Sequence, residues 1–202
     1  MVWKQRIKEK LDELDSLFQP DELAYLALTQ KVEHAVRDKL AFALHAAFGE
    51  RDAIQVCREW RRVDLAVIKN ADPLVLLEAK AYYTFDILKH GKPHDYPTWV
   101  LRDVEKLKTI PTPGNEMFAL LLATHPHAPP RDQFRDAVKY FSSVSRYARS
   151  GIQLQDAQSA VRARLPDQPM IAEGTIPAGK AFDIEVTVAY WLFGPYQSYS
   201  TS

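Results

Sequence analysis

Asp64, Glu78 and Lys80 are the three residues whose types and spacing can do chemistry together. Residues 61–67 and 74–80 read as two short strands, joined by the turn-forming run Lys69-Asn70-Ala71-Asp72-Pro73. In an antiparallel hairpin closed by those five residues, paired positions sum to 142, which sets Asp64 opposite Glu78. Lys80 is two residues further on and shares their face. Opposed carboxylates repel and weaken a ladder. A divalent cation between them, with a lysine beside it, reverses that penalty. The alternative is a solvated sheet face on which Glu78 and Lys80 form an ordinary pair. Against it, Leu74-Val75-Leu76-Leu77 is apolar on both faces, so three charges at its end are costly unless they act.

The chemistry such a set suits is phosphodiester hydrolysis. It needs charge neutralisation on the phosphate, an oriented water and help for the leaving oxygen. Magnesium, with manganese as its substitute, is held by one or two carboxylates and keeps several of its waters. Asp64 and Glu78 are those carboxylates, and the backbone carbonyl of Ala79 is a third oxygen. Lys80 either orients or deprotonates the attacking water, or stabilises the transition-state charge.

The elements that must position these residues follow from periodicity and punctuation. Residues 4–17 and 21–48 read as helices separated at Gln19-Pro20, with Asp21 as the cap of the second. Residues 53–60, 62–68 and 74–80 read as strands, and about 98–109 as a helix. The run EMFALLLAT from Glu116 to Thr124 is apolar throughout, as in a strand buried on both faces. An amphipathic helix over 131–149, a short helix over 152–164 and a final strand over 182–193 complete the order, with a loose tail from Tyr196. A helix between the third and fourth strands suits a crossover. The expected fold is therefore α/β, a mixed central sheet flanked by helices, in one domain with its core at about 22–193.

Asp64, thirteen intervening residues, then Glu78-Ala79-Lys80, all after a helix bearing Glu33, resembles the PD-(D/E)XK nuclease superfamily. The similarity runs from about residue 22 to 124, with Val63 rather than proline before Asp64. It implies a restriction endonuclease-like fold and a metal-dependent nuclease, most simply an endonuclease, acting on DNA. It also maps the helical glutamate of that superfamily onto Glu33. Glu33 then reaches a second metal or holds the lysine; the alternative is an i,i+4 pair with Arg37.

Around this set, Arg62 is expected to face the same way as Lys80 and to touch a phosphate, and Lys89 and Lys92 in the basic loop after the third strand are expected to bind substrate. Arg58 and Arg61 read as partners of nearby carboxylates, and Tyr82, Tyr83 and Phe85 either stack bases or pack. Arg131, Arg135, Lys139, Arg146 and Arg149 suit a phosphate-tracking stripe or a plain solvated face. His125 and His127 lack zinc spacing and read as surface loop residues.

Composition bounds the partners. Lysine and arginine number 26 against 26 acidic residues, so no net field pulls the chain onto polyanions, and a basic patch must hold any nucleic acid. Cys57 is alone and reads as a small buried hydrophobe, and no run reaches the roughly 18 apolar residues of a membrane span. A cytoplasmic location without membrane contact is expected. Double-strand cleavage at one locus calls for two sites and hence a homodimer. The rival to an enzyme is a nucleic-acid-binding or assembly subunit on the same scaffold without catalysis; a further rival is an unrelated α/β protein.

Overall fold

Residues 3–89, 95–110 and 114–197 are described by a computed structural model. Three helices come first: α1 (Trp3–Asp12), α2 (Glu22–Thr29) and α3 (Glu33–Asp52). Strands β1 (Gln55–Trp60), β2 (Val63–Lys69) and β3 (Asp72–Tyr83) follow. Helices α4 (Thr84–Leu88) and α5 (Tyr96–Lys108) lead to β4 (Glu116–Pro126). Helices α6 (Phe141–Arg149) and α7 (Leu154–Arg164) precede the closing hairpin of β5 (Met170–Ala181) and β6 (Ile184–Tyr196). The six strands form one mixed sheet in the order β1-β2-β3-β4-β6-β5, with β3 and β4 parallel and every other pair antiparallel. The architecture is the expected α/β sheet flanked by helices.

Strand alternation divides the core in two. Leu65, Val67, Val75, Leu77 and Ala79 face α1, α2 and α3, where Leu28, Val36 and Leu40 are fully buried. Ala66, Leu76 and Met117 face Leu107 of α5 on the other side, next to a cluster around Val104, Leu121 and Trp191. β3 and β4 are covered on both faces, which is why both read as nearly continuous apolar runs. α1 adds Ile7 and Leu11 to the first layer.

Several elements differ from their sequence reading. The helix expected over 21–48 is two helices, because Gln30 turns extended and ends α2, and the Lys139 N–H donates to the freed Leu28 carbonyl at 2.7 Å. Glu33 therefore opens a helix instead of lying inside one. Asp21 is not a side-chain cap: it adopts φ 64°, and its Oδ1 accepts the Lys180 N–H at 2.6 Å. Residues 131–149 are not one helix. A single 3-10 turn at Asp132–Phe134 gives way to Tyr140 at φ 57°, which no right-handed helix can pass through, and α6 starts only after it. The basic stripe read across that stretch therefore does not exist as one helical face. The final strand is one arm of a hairpin whose other arm, β5, carries Gly174, Pro177 and Gly179, residues that disguise a strand. Among the described residues no helix is long and apolar enough to cross a membrane.

Candidate active site

The hairpin of β2 and β3 has the expected register, reached by a different turn. Leu65 pairs with Leu77, Ala66 with Leu76 and Val67 with Val75, each pair summing to 142. The connection is not five residues but two, Asn70 and Ala71, both at positive φ as a type I′ turn requires. A bulge between Val67 and Ile68 takes up the difference.

The ladder stops at Leu65 and Leu77, while β3 runs on to Tyr83. Beyond that point the edge of β3 facing β2 has lost its strand partner, and buried backbone donors must be satisfied some other way. Two carboxylates take over. Asp64 Oδ2 accepts the Ala79 N–H at 2.8 Å, and Glu33 Oε2 accepts the Ala81 N–H at 3.2 Å. A residue's N–H and C=O leave a strand on the same side, so the Ala79 carbonyl opens toward the same edge.

Glu78 and Lys80 project from the intervening positions toward α5. They do not pair with each other, so the ordinary Glu78–Lys80 pair is absent. Lys80 Nζ lies 3.4 Å from Asp103 Oδ2, and Glu78 Oε1 accepts a hydrogen bond from Lys106 Nζ at 2.5 Å. Lys106 also donates to the Arg62 carbonyl at 2.6 Å. Asp103 and Lys106 sit three residues apart on one face of α5, which is how a single helix reaches both. The Asp103 Oδ2 atom is buried, with no hydrogen bond of acceptable geometry among the described residues. In the sequence, the run Asp103-Val104-Glu105-Lys106-Leu107 resembles the equivalent helix of PD-(D/E)XK nucleases but carries no defined chemistry; the i,i+3 spacing of opposite charge is the signal that Asp103 and Lys106 act together.

Arg37 does not pair with Glu33 at i,i+4. It is buried, bonds Asp38 at 2.8 Å and Glu59, and lies 3.7 Å from Asp64 Oδ1. Arg58 pairs with Asp38 at 2.7 Å, and Arg61 packs on Trp60. Arg62 is exposed in the two-residue turn between β1 and β2. Its main-chain oxygen joins the cluster while its side chain faces solvent at the rim. Both Arg61 and Arg62 are held at positive φ, 48° and 68°, where arginine is strained. Lys89, just past α4 and six residues beyond the end of β3, bonds Asp86 at 2.6 Å. Lys92 lies outside the described residues.

The remaining candidates resolve into packing. Tyr83 and Phe85 are buried, stacked at 4.9 Å, and Tyr82 is half-buried against Tyr96. His125 is not a loop histidine: it ends β4, is buried, and meets Thr84 Oγ1 at 3.1 Å. Burial, with His127 adding to it, brings its pKa down to about 4. Cys57 is free and half-buried.

Electrostatics shows how crowded the carboxylates are. Burial lifts Glu78 to about 7; Asp64 and Asp103 push the same way, and Lys106 opposes them. Burial also raises Glu33 and Asp103, with Lys80 as the main opposing charge for each. Burial alone lowers the pKa of Lys80, yet Asp103, Glu33 and Asp64 outweigh it and hold the ammonium above the usual lysine range. Lys80 is thus a firmly protonated cation in a ring of carboxylates.

A pH test of that crowding follows. The folded pKa of Glu78 is about 7 against an ordinary 4.5, so between those values the folded chain binds more protons than the unfolded one. Stability contributed by the neutral form is complete below 4.5 and is lost as pH rises through 7. In chelator at pH 8, Glu78→Gln should melt about 3–6 °C higher than wild type, for a gain of roughly 1–2 kcal/mol. At pH 4 the difference should vanish. Equal melting curves at both pH values would mean that Glu78 is not strained by its neighbours.

Comparison of the chain with protein families, with curated proteins and with solved structures finds no match in any of the three. The site must therefore be read from its own geometry. Among the described residues no three or more His, Cys, Asp or Glu side chains form a ready cage for a metal ion. Asp64, Glu78 and the Ala79 carbonyl are hard oxygen donors, with Asp64 Oδ2 engaged by the Ala79 N–H and Glu78 Oε1 by Lys106. Two carboxylates and a main-chain carbonyl are what magnesium uses when it keeps most of its waters. The Lys106 ammonium, bound between the Glu78 carboxylate and the Arg62 carbonyl, shows that this corner already attracts positive charge to oxygen ligands.

Proposed function

We propose that this chain is a magnesium-dependent nuclease that hydrolyses DNA phosphodiester bonds, on a restriction endonuclease-like core. One observation carries the reading. Where the β2–β3 ladder ends, Asp64 and Glu33 cap Ala79 and Ala81, and Glu78 and Lys80 leave the same stretch of β3 toward α5. Capping the open edge accounts for Asp64 and Glu33, but not for Glu78 and Lys80 on the same stretch of strand.

Asp64, Glu78 and the Ala79 carbonyl are the groups that would hold magnesium. Bound there, the ion supplies neutralisation of phosphate charge and an acidified water. Asp64 and Glu33 fix the β3 edge by capping Ala79 and Ala81, so the reacting groups share one rigid strand. Lys80, protonated at neutral pH, serves as a cation toward the water and the developing phosphorane charge, and this favours charge stabilisation over its role as a base. Asp103 positions that ammonium. Lys106 bonds Glu78, and a cation held there would take over part of that neutralisation.

Arg62, at the strained turn tip, is suited to a flanking phosphate. Arg62→Gly keeps the carbonyl that Lys106 needs and relieves the positive φ. It should raise the melting temperature by about 2–4 °C, for roughly 1 kcal/mol. DNA affinity should fall at the same time, with the log–log salt slope about 0.9 shallower for one lost phosphate contact. A variant that is both more stable and binds DNA with an unchanged slope would remove Arg62 from the interface.

A second reading, nucleic-acid binding without catalysis, is favoured by the closure of Glu78 on Lys106, which satisfies a would-be ligand internally. Manganese binding followed by electron paramagnetic resonance separates the two. The nuclease reading expects one bound ion in wild type that is lost in Asp64→Asn; a binding scaffold expects no bound ion in either.

A further inference from the structure

The free edge of β3 does not end at Lys80. Past Ala81, whose N–H Glu33 accepts, it forms the floor of a cleft of about 300 Å³ lined by Lys31, Tyr82, Lys89, Tyr140 and Ser143. Lys80 and Tyr82 are two residues apart on an extended strand, about 7 Å. That is the order of one step along an extended nucleic-acid strand. The cleft is therefore the next position along a chain whose phosphate lies at Lys80.

Its walls are aromatic and its rim is cationic. Tyr140 is 49% exposed, yet it is held at φ 57° immediately before α6. Its ring meets Tyr83 edge-on at 5.8 Å, and Tyr83 is itself fixed by a 2.8 Å hydrogen bond to the Ala27 carbonyl. Behind it Phe85 stacks on Tyr83 at 4.9 Å and on Tyr147 at 4.8 Å. An exposed ring backed by a rigid stack, in a backbone conformation that tyrosine disfavours, is a platform rather than a loose surface side chain. Opposite, the Lys31 ammonium sits 5.6 Å from the Tyr82 ring centroid and makes no ion pair among the described residues. Lys89 is neutralised by Asp86 at 2.6 Å, which leaves Lys31 as the uncompensated charge among the described residues lining the cleft, while Lys139 sits 5.3 Å from the Tyr140 ring centroid.

We propose that this cleft seats one unstacked nucleotide, its base on Tyr140 and its phosphate on Lys31, so that the substrate class is single-stranded DNA or a frayed end. This deepens the hydrolytic reading of the Lys80 site and rests on it. The volume stands at the lower end of ligand pockets, enough for a single base and too small for a base pair. Base–aromatic stacking is tolerant of sequence, because every base has a π-face. A continuous duplex keeps its bases stacked inside and cannot present one here.

The test is made in chelator, where hydrolysis plays no part. A short single strand carrying 2-aminopurine is titrated with protein, following fluorescence and anisotropy, beside the same sequence as duplex. The expected result is quenching on binding of the single strand, with weaker duplex binding. Tyr140→Ala should weaken single-strand binding about 5- to 100-fold, and Tyr140→Phe should restore it. Lys31→Gln should make the salt slope about 0.7 shallower. Ser143→Trp, which fills the cleft from α6 and leaves residue 140 unsubstituted, should weaken binding as well and covers a folding failure of the alanine variant. Unquenched fluorescence, or unchanged affinity in both Tyr140→Ala and Ser143→Trp, overturns the proposal. Either result leaves cleavage by wild type standing, whereas absence of cleavage with normal quenching would sink only the hydrolytic reading.

Discussion

Lys80→Ala should lower the single-turnover rate of DNA cleavage by about a hundredfold or more while divalent metal still binds. The two proposed ligands, Asp64 and Glu78, are untouched by the change. What is lost is an ammonium that Asp103, Glu33 and Asp64 keep protonated and that Asp103 holds in place from 3.4 Å. Substrate affinity should fall only slightly, since one cation among several phosphate contacts contributes a limited share. Lys80→Arg should recover part of the rate: it keeps the charge, but its planar fork does not fit a point contact to Asp103. A spectator Lys80, present only to neutralise Asp103, gives the opposite pattern. Cleavage would then stay near wild type, and the alanine variant would lose stability because Asp103 is left buried and unpaired. Rates at saturating magnesium, read beside melting curves, decide between the two.

Asp64→Asn should have a larger effect on cleavage, on the order of a thousandfold, and little effect on folding. The amide oxygen of asparagine can still accept the Ala79 N–H, so the β3 edge keeps its cap. Removing the negative charge also relieves Glu78 and Glu33, both of which Asp64 pushes toward neutrality. Arg37 loses a contact at 3.7 Å but keeps Asp38 and Glu59. In chelator the variant should therefore melt at or slightly above wild type. With magnesium at about a hundred times its dissociation constant, wild type alone should gain about 2.7 kcal/mol by linkage, roughly 5–11 °C. A variant that is unfolded in both conditions would make Asp64 a structural residue.

How much of this site could be read from the chain depends on what each residue's position rests on. The β2–β3 register was legible because antiparallel pairing is local, and a sum of 142 survives the unexpected bulge between Val67 and Ile68. The ladder nonetheless ends at Leu65 and Leu77, one pair short of Asp64 and Glu78. The run EMFALLLAT was legible as a doubly buried strand because a parallel neighbour and covered faces leave no polar side. Glu33 was placed on the right helix but in the wrong part of it. The break at Gln30 depends on a hydrogen bond to Lys139, more than a hundred residues away, which no local pattern encodes. Asp103 and Lys106 were legible only as part of a helix resembling that of such nucleases, without a role, for a similar reason: only the crossover from β3 to β4 turns them onto Glu78 and Lys80. The basic stripe over 131–149 failed because periodicity registers neither the turns that replace helix before Phe141 nor the positive φ of Tyr140.

The most direct test of the central claim is magnesium-dependent cleavage under single-turnover conditions, with end-labelled single-stranded, branched and duplex DNA offered together. Wild type should yield product with magnesium or manganese, and none in excess chelator. Calcium should occupy the site without supporting comparable turnover. Product that forms equally well in chelator, or no product from any substrate when manganese is shown to be bound at Asp64, would contradict a metal-dependent hydrolytic site on the open edge of β3.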